Sequence, residues 1–259
     1  MSNNRKIFYE RMINDIILDK KSTILVVGAT KYDSDIFQKN GFSNVTISNL
    51  DSSTDYSPHK HSLQDLRKIN YQNQSFEYVV ANACIHHTSK PHEAILEMYR
   101  VSKNGIIVIE GNDSNLIKIT NFLNLSQEYE LSAVINDDYS HDKGGVDNSF
   151  IPNFVYRWTK REIYKLISSY EPQYTHKINF FYNSDFGGYK NVKKTSIIKP
   201  ILYILEILAK LYFIIFSSEK NLFCFFINKK EKKLKEWLKI DSKNKIQLNK
   251  EYLNKKIKK

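Results

Sequence analysis

Residues 65–111, DLRKINYQNQSFEYVVANACIHHTSKPHEAILEMYRVSKNGIIVIEG, constrain the fold more than any other stretch. Residues 76–83 (FEYVVANA) are mostly apolar but too few for a buried helix, so they read as a strand covered on both faces. A short turn follows, carrying His86 and His87. From 91 to 101, Ala94, Ile95, Met98 and Val101 recur at three- and four-residue spacing, which predicts an amphipathic helix. Ser89 can cap that helix, and Pro91 fits its first turn, where no backbone N–H is needed. After Gly105, residues 106–110 (IIVIE) form a second apolar run. Strand, helix and strand within about thirty-five residues make a βαβ unit, and such units build parallel sheets.

The chain before this unit repeats the plan. A helix is expected over 3–19, with Ile7, Met12, Ile16 and Ile17 among its apolar positions. Residues 22–29 (STILVVGA) are the clearest strand and end in Gly28; a helix over 33–40 is closed by Gly41. Residues 44–51 (NVTISNLD) are a further strand with a polar end. Strand, glycine turn, helix and strand, with an acid or amide about twenty positions on, is the first half of a Rossmann-like nucleotide site. A dinucleotide site would show G-x-G-x-x-G, whereas this loop is GATKYD with the single Gly28, which disfavours a nicotinamide-dependent oxidoreductase.

After the central unit, Asp113 or Ser114 can cap a helix running towards Leu125. An aperiodic insertion, about 124–157, contains Gly144, Gly145 and Pro152 and reads as ordered loop. Thr159 and Glu162 form a capping box for a helix to Tyr170. Strands follow at 174–182 and 221–227, and a weaker one at 59–64 brings the expected total to seven. The fold class is therefore α/β: a Rossmann-like, seven-stranded, mostly parallel sheet with helices on both faces. Residues 1–228 form the domain and 229–259 a basic tail.

The order Asp65-Leu66, Phe76-Glu77, His86-His87 and E-M-Y-R-V before Asn104-Gly105 resembles the second half of a class I S-adenosylmethionine-dependent methyltransferase of the type-11 family. That family shows Asp where Glu77 stands and Pro where Asn104 stands. The resemblance implies S-adenosyl-L-methionine as cofactor, with Asp65 accepting from the adenine amino group and Leu66 against the ring. Asn49 and Asp51 both end the second strand, where the ribose should lie: Asn49 matches the family's usual acid by count, and Asp51 is the better acceptor for a diol. Gly28 allows the backbone to approach the methionine end, and Asn82 and Ala83 would line the same cleft. His86 and His87 follow a strand's C-terminal end and can serve as general base, with Glu110 and Asp113 competing for that role. Tyr156, Arg157 and Trp158, beside Gly144 and Gly145, either line an acceptor site or form a buried cover over the sheet edge. The implied reaction is O-methylation of a small-molecule or glycan-type acceptor, with no metal. The alternative is a non-catalytic binding protein with a degraded cofactor loop, because GAT is poor in glycine.

A net charge of +11 raises the question of nucleic acid. Residues 229–259 hold thirteen lysines against four acids, so the body is nearly neutral and no nucleic acid is expected. Two cysteines, Cys84 and Cys224, each inside an apolar run, suit a reduced, cytoplasmic protein. The N-terminus lacks the form of a signal peptide. Residues 197–217 are strongly apolar, but Lys199, Glu206 and Lys210 interrupt them. They read as a helix of the soluble domain; the alternative is peripheral contact at the inner membrane face, aided by the basic tail.

Overall fold

Buried strands with no inside–outside alternation are what a sheet sandwiched between helices requires, and β1 (Ile24–Val27) is buried at all four positions. A computed structural model describes residues 2–51, 54–135, 143–185 and 198–257. It places β1 beside β2 (Val45–Asn49), β3 (Lys60–Leu63), β4 (Phe76–Asn82), β5 (Ser102–Gly111), β6 (Tyr174–Asn183) and β7 (Leu222–Leu234) in the order β3-β2-β1-β4-β5-β7-β6. The first five strands are mutually parallel; β7 runs antiparallel to both β5 and β6. This is the expected Rossmann-like sheet.

Alternate residues of each central strand feed opposite faces. Leu25, Val79, Ala81, Ile106 and Val108 pack with Ala94, Ile95 and Met98 of α3 (Pro91–Val101) and Ile163 and Ile167 of α5 (Lys160–Tyr170). Ile24, Val26, Val80, Ile107 and Ile109 pack with Phe8, Tyr9, Met12 and Ile13 of α1 (Asn3–Ile16) and Ile36 and Phe37 of α2 (Lys31–Lys39). The two-residue side-chain period of a strand makes one sheet serve two cores.

Local chemistry sets the helix starts, sometimes differently from expectation. α2 begins at Lys31 because Thr30 and Asp33 cap it: Thr30 N and Oγ1 both donate to Asp33 Oδ2, at 2.8 and 2.9 Å. Ser89 does not cap α3; its hydroxyl donates instead to Asp147 Oδ2 at 2.6 Å, and Lys90 occupies the cap position. Ser114 caps α4 (Asn115–Phe122), which stops before Leu125. Thr159 accepts from Glu162 N at 3.1 Å, while the Glu162 carboxylate turns to His92 and Tyr156.

The boundary at 228 needs correction. β7 continues to Leu234, with Lys233 opposite Thr175 and Leu234 opposite Tyr174. Lys229 explains why a lysine-rich run stays in the sheet. Its Nζ donates to the Tyr99 and Ser102 carbonyls at 2.7 and 2.5 Å, at the C-terminal end of α3, and burial pulls its pKa down to about 8. Lys232 Nζ pairs with Glu171 at 3.0 Å. Further on, β8 (Leu238–Ile240) and β9 (Ile246–Leu248) pair as a small hairpin, and α7 (Lys250–Ile257) follows.

The long apolar segment forms α6 (Ile198–Ile215), which differs from a helix folded into the domain. Of its described side chains, Glu206 and Phe213 are buried, and most of the large apolar ones are exposed. Among the described residues, no helix is long and apolar enough to cross a membrane.

Candidate active site

Parallel strands deliver their C-terminal ends to one edge, where open α/β sheets take ligands. A cleft of about 300 Å³ opens at that edge. Gly28, Ala29 and Thr30 line it after β1, and Asn49, Leu50 and Asp51 at the end of β2. Gln64, Asp65 and Leu66 line it after β3, and Ala83, Cys84, His87 and Thr88 after β4. Gly144, Gly145, Asp147 and Asn148 of the insertion complete the wall; residues 136–142 of that insertion lie outside the described residues.

The first turn needs its one glycine. Gly28 has φ +57°, and a Cβ there would lie 2.6 Å from Cys84 Cβ and 2.8 Å from its Sγ. Ala83, facing it, also takes a left-handed φ of +52°. Two tight turns thus shape the cleft without a glycine-rich loop, which removes the ground for reading the loop as degraded.

Asn49 staples the neighbouring turns together. Its Nδ2 donates to Ala29 O at 3.0 Å and Tyr56 Oη at 2.6 Å, and its Oδ1 accepts from Asp51 N at 2.8 Å. Asp51 stands half-buried on the cleft wall. Asp65 is gripped by Arg67, whose Nε lies 3.0 Å from both carboxylate oxygens and whose Nη2 lies 2.7 Å from Oδ2. Those hydrogen bonds hold the Asp65 carboxyl below its usual range. Arg67 Nη1 reaches Asp147 Oδ2 at 2.7 Å, and Asp147 Oδ1 accepts from Ser89 N at 3.0 Å. One ionic network therefore joins three separate loops around the cleft.

Beside the cleft, two imidazoles converge on one carboxylate. Glu110, 1% exposed, accepts from Cys84 N at 2.9 Å and Ile85 N at 2.7 Å, and takes His86 Nδ1–H at 2.6 Å. His86 Nε2 and His87 Nε2 each lie 3.3 Å from Glu130 Oε2. Burial alone would lower the His86 pKa, but Glu110 and Glu130 outweigh it and push it up to about 9. Hydrogen bonds from both histidines hold Glu130 well below its ordinary range. Glu110 is also held below its ordinary range: burial opposes this, but His86 and the Ile85 N–H prevail. His86 is thus an imidazolium at neutral pH. His87, with a side chain 30% exposed, is the histidine on the cleft wall.

A family model described as a methyltransferase domain, that of the type-11 family, matches residues 38–109, from the last residues of α2 into β5. Over that segment the chain carries a methyltransferase domain like that of the type-11 family. Its cofactor is S-adenosylmethionine. Solved structures agree on the fold of this methyltransferase. A Pyrococcus horikoshii protein, PH0226, is 14% identical, with 86% of this chain and 89% of that one covered at a TM-score of 0.51. A SAM-dependent methyltransferase from Archaeoglobus fulgidus is 10% identical over 86% and 94% of the two chains, with a TM-score of 0.50. YcgJ of Bacillus subtilis is 10% identical over 88% and 99%, with a TM-score of 0.51. No protein of curated function matches the sequence.

The methyltransferase brings Gly28, Asn49, Asp51, Asp65, Leu66, Ala83 and His87 to one cleft, as the sequence leads one to expect of neighbouring strand ends. Asn82 is not among the lining residues; its side chain is buried and bonds to the Asp33 carboxylate on the α1–α2 side. Glu110 is sealed beneath the site rather than set on its surface, so it cannot touch an acceptor. Tyr156, Arg157 and Trp158 do not line the cleft. Trp158 is fully buried and its backbone extends β5, through Trp158 N to Gly111 O at 2.9 Å; Arg157 packs on Gly111, and Tyr156 bonds to Glu162. Thr30, Gln64, Glu130, Asp147 and Asn148 were not foreseen. For Asp147 and Asn148 a cue existed: short polar residues after Gly144-Gly145, the type that tolerates their left-handed φ of 52° and 60°.

Proposed function

We propose that this methyltransferase transfers its methyl group to a hydroxyl of a small-molecule acceptor, with His87 as the general base. The observation that supports this most is the convergence of His86 and His87 on Glu130 at the cleft, with His86 locked from behind by Glu110. The bound cofactor supplies an electrophilic methyl carbon on a sulfonium. The chain must then align the acceptor oxygen with that carbon and accept its proton. His86 already carries a proton between two carboxylates and cannot take another. His87 is the histidine that lines the cleft, and its Nε2 lies 3.3 Å from Glu130 Oε2, placed to stabilise a proton taken from the acceptor. His86 and Glu110 act as positioning residues, since Glu110 fixes the turn through two backbone N–H groups.

On the cofactor side, Asp51 is the acceptor we assign to the ribose diol, because Asn49 spends its side chain on Ala29, Tyr56 and Asp51 N. Asp65 and Leu66 are assigned to the adenine, and the backbone at Gly28, Ala83 and Thr30 to the methionine end. The residues present fit such a ligand: an acid stands at each of two strand ends, and the wall at Gly28 leaves no room for a side chain. A glycan-type acceptor is the narrower reading. The aromatic faces that could stack on a sugar are Tyr129 and Phe154, exposed beside Glu130 with ring centroids 5.5 Å apart.

The test is turnover against pH with hydroxyl-bearing acceptors and labelled S-adenosylmethionine. His87→Ala should lose roughly 10²–10⁴-fold in turnover while binding S-adenosylhomocysteine as the parent does. Parental turnover in His87→Ala would end the base assignment.

A further inference from the structure

Antiparallel neighbours such as β6 and β7 can be joined by a hairpin of two to five residues. Here residues 184–221 intervene, and they contain α6. Asn183 at the end of β6 stands opposite Leu222 at the start of β7, and Leu222 stands opposite Gly111 at the end of β5. The connection therefore leaves the sheet at the same edge as the cleft. α6 does not lie down on a sheet face: its large described apolar side chains, from Ile201 to Ile215, are 38–77% exposed apart from Phe213.

The distribution around the helix identifies what covers it. At about 100° per residue, the exposed apolar side chains sweep roughly 200°, against the ~100° stripe of a helix packed on one partner. Phe213 and Glu206 mark the opposite, body-facing side, and Lys210, exposed, reaches back to Glu206 Oε1 at 2.6 Å. α4 extends the surface. None of its residues is buried, and Phe122 is 86% exposed. The two helices are tied together through Glu219, whose carboxylate accepts from Leu116 N at 3.1 Å and whose carbonyl accepts from Ser114 Oγ at 2.9 Å.

We propose that the outer face of α6, with α4 beside it, docks on an anionic lipid bilayer. A second copy of the chain would cover one stripe, whereas an interface into which a helix sinks to half its girth covers an arc of this width. Charge agrees with the choice. Segment 184–221 carries six lysines against three acids, the exposed Lys118 and Lys210 border the apolar face, and the whole chain is at +11. The helix lies on the membrane and does not span it, because Lys199, Glu206 and Lys210 interrupt its 18 residues. This inference is independent of the methyl-transfer chemistry.

The experiment is flotation of the full chain with vesicles of phosphatidylglycerol and phosphatidylcholine, against vesicles of phosphatidylcholine alone. Capture should require the anionic lipid, weaken with added salt, and fall by roughly tenfold or more in Ile204→Glu/Leu208→Glu/Leu211→Glu, three substitutions at the centre of the arc. A thermal melt matching the parent's shows that the variant is folded; should it fail to fold, Lys118→Glu/Phe122→Glu on α4 carries the same test. Absence of capture, equal capture by neutral vesicles, or capture unchanged by the substitutions would each overturn the proposal. A parental dimer by light scattering that the triple variant dissociates, with no vesicle capture, would assign the face to a second copy instead.

Discussion

Gly28→Ala tests the reading of the cofactor loop most sharply. Two costs follow from the structure. An L-residue at φ +57° pays roughly 1–2 kcal/mol for the left-handed backbone. The new methyl would also sit 2.6 Å from Cys84 Cβ and 2.8 Å from Sγ, well inside ordinary van der Waals contact. Cys84 is held from both sides, by its N–H to Glu110 Oε1 at 2.9 Å and its Sγ to Val27 O at 3.2 Å, so it cannot swing away. Overpacking of this kind costs roughly 1–3 kcal/mol, which brings the total to about 2–5 kcal/mol. Urea denaturation measures that loss directly. Titration calorimetry with S-adenosylhomocysteine should show at least a tenfold weaker complex, because any relief moves the cleft wall. A double-mutant cycle separates the two costs. In a Cys84→Gly background the clash disappears, and Gly28→Ala should cost only the backbone part, about 1–2 kcal/mol. Equal costs in both backgrounds, or parental stability in Gly28→Ala, would refute the argument.

Asp65→Ala should weaken S-adenosylhomocysteine binding about tenfold to a hundredfold, the worth of one charge-assisted hydrogen bond of roughly 1.5–3 kcal/mol; unchanged affinity would take Asp65 off the adenine. His86 has its pKa raised from 6.5 to about 9, so its stabilising contribution is complete below pH 6.5 and disappears as pH rises through 9. Imidazole NMR should show one histidine still protonated at pH 7.5, and a spectrum in which every histidine titrates near 6.5 would contradict this. Lys229→Met should cost about 1.5–3 kcal/mol by removing two charge-assisted hydrogen bonds at the end of α3, although Tyr99 O keeps the Ser102 hydroxyl, and should lower the melting temperature by roughly 3–12 °C; an unchanged melt would make the lysine an ornament of the strand.

What the sequence revealed and what it hid have the same physical origin. Runs such as residues 76–83 and 106–110 are apolar because both sheet faces are covered, and that local pattern survives in one dimension. Nearness to the strand end points Asn82 to the cleft, yet its parity matches Val80, which faces α1 and α2. The turn at Ala83 then redirects the chain, so only residues beyond it reach the cleft. Glu110 shares the parity of Val108 and is buried for the same reason. Glu130 left no trace, because residues 127–157 have no period. Its position is fixed by a distant bond, Glu130 N to Asn153 O at 3.0 Å. The strand in the lysine-rich run from 229 to 234 is hidden in the sequence because its charge suggests solvent, while α3 offers Lys229 carbonyls to bind.

β7 lies between β5 and β6 although it is the last of the three to be made. As the chain emerges from the ribosome, β5 presents an open edge, and β6 has no strand to join, because β7 is its sole sheet neighbour among the described residues. A nascent chain that stops before residue 222 therefore displays two unpaired strand edges, an arrangement prone to joining other chains. Cofactor-binding segments that are complete by Glu110 gain nothing from being finished early. Translation must pass the final large strand before the sheet can close, and chains released short of it are substrates for chaperones or proteases.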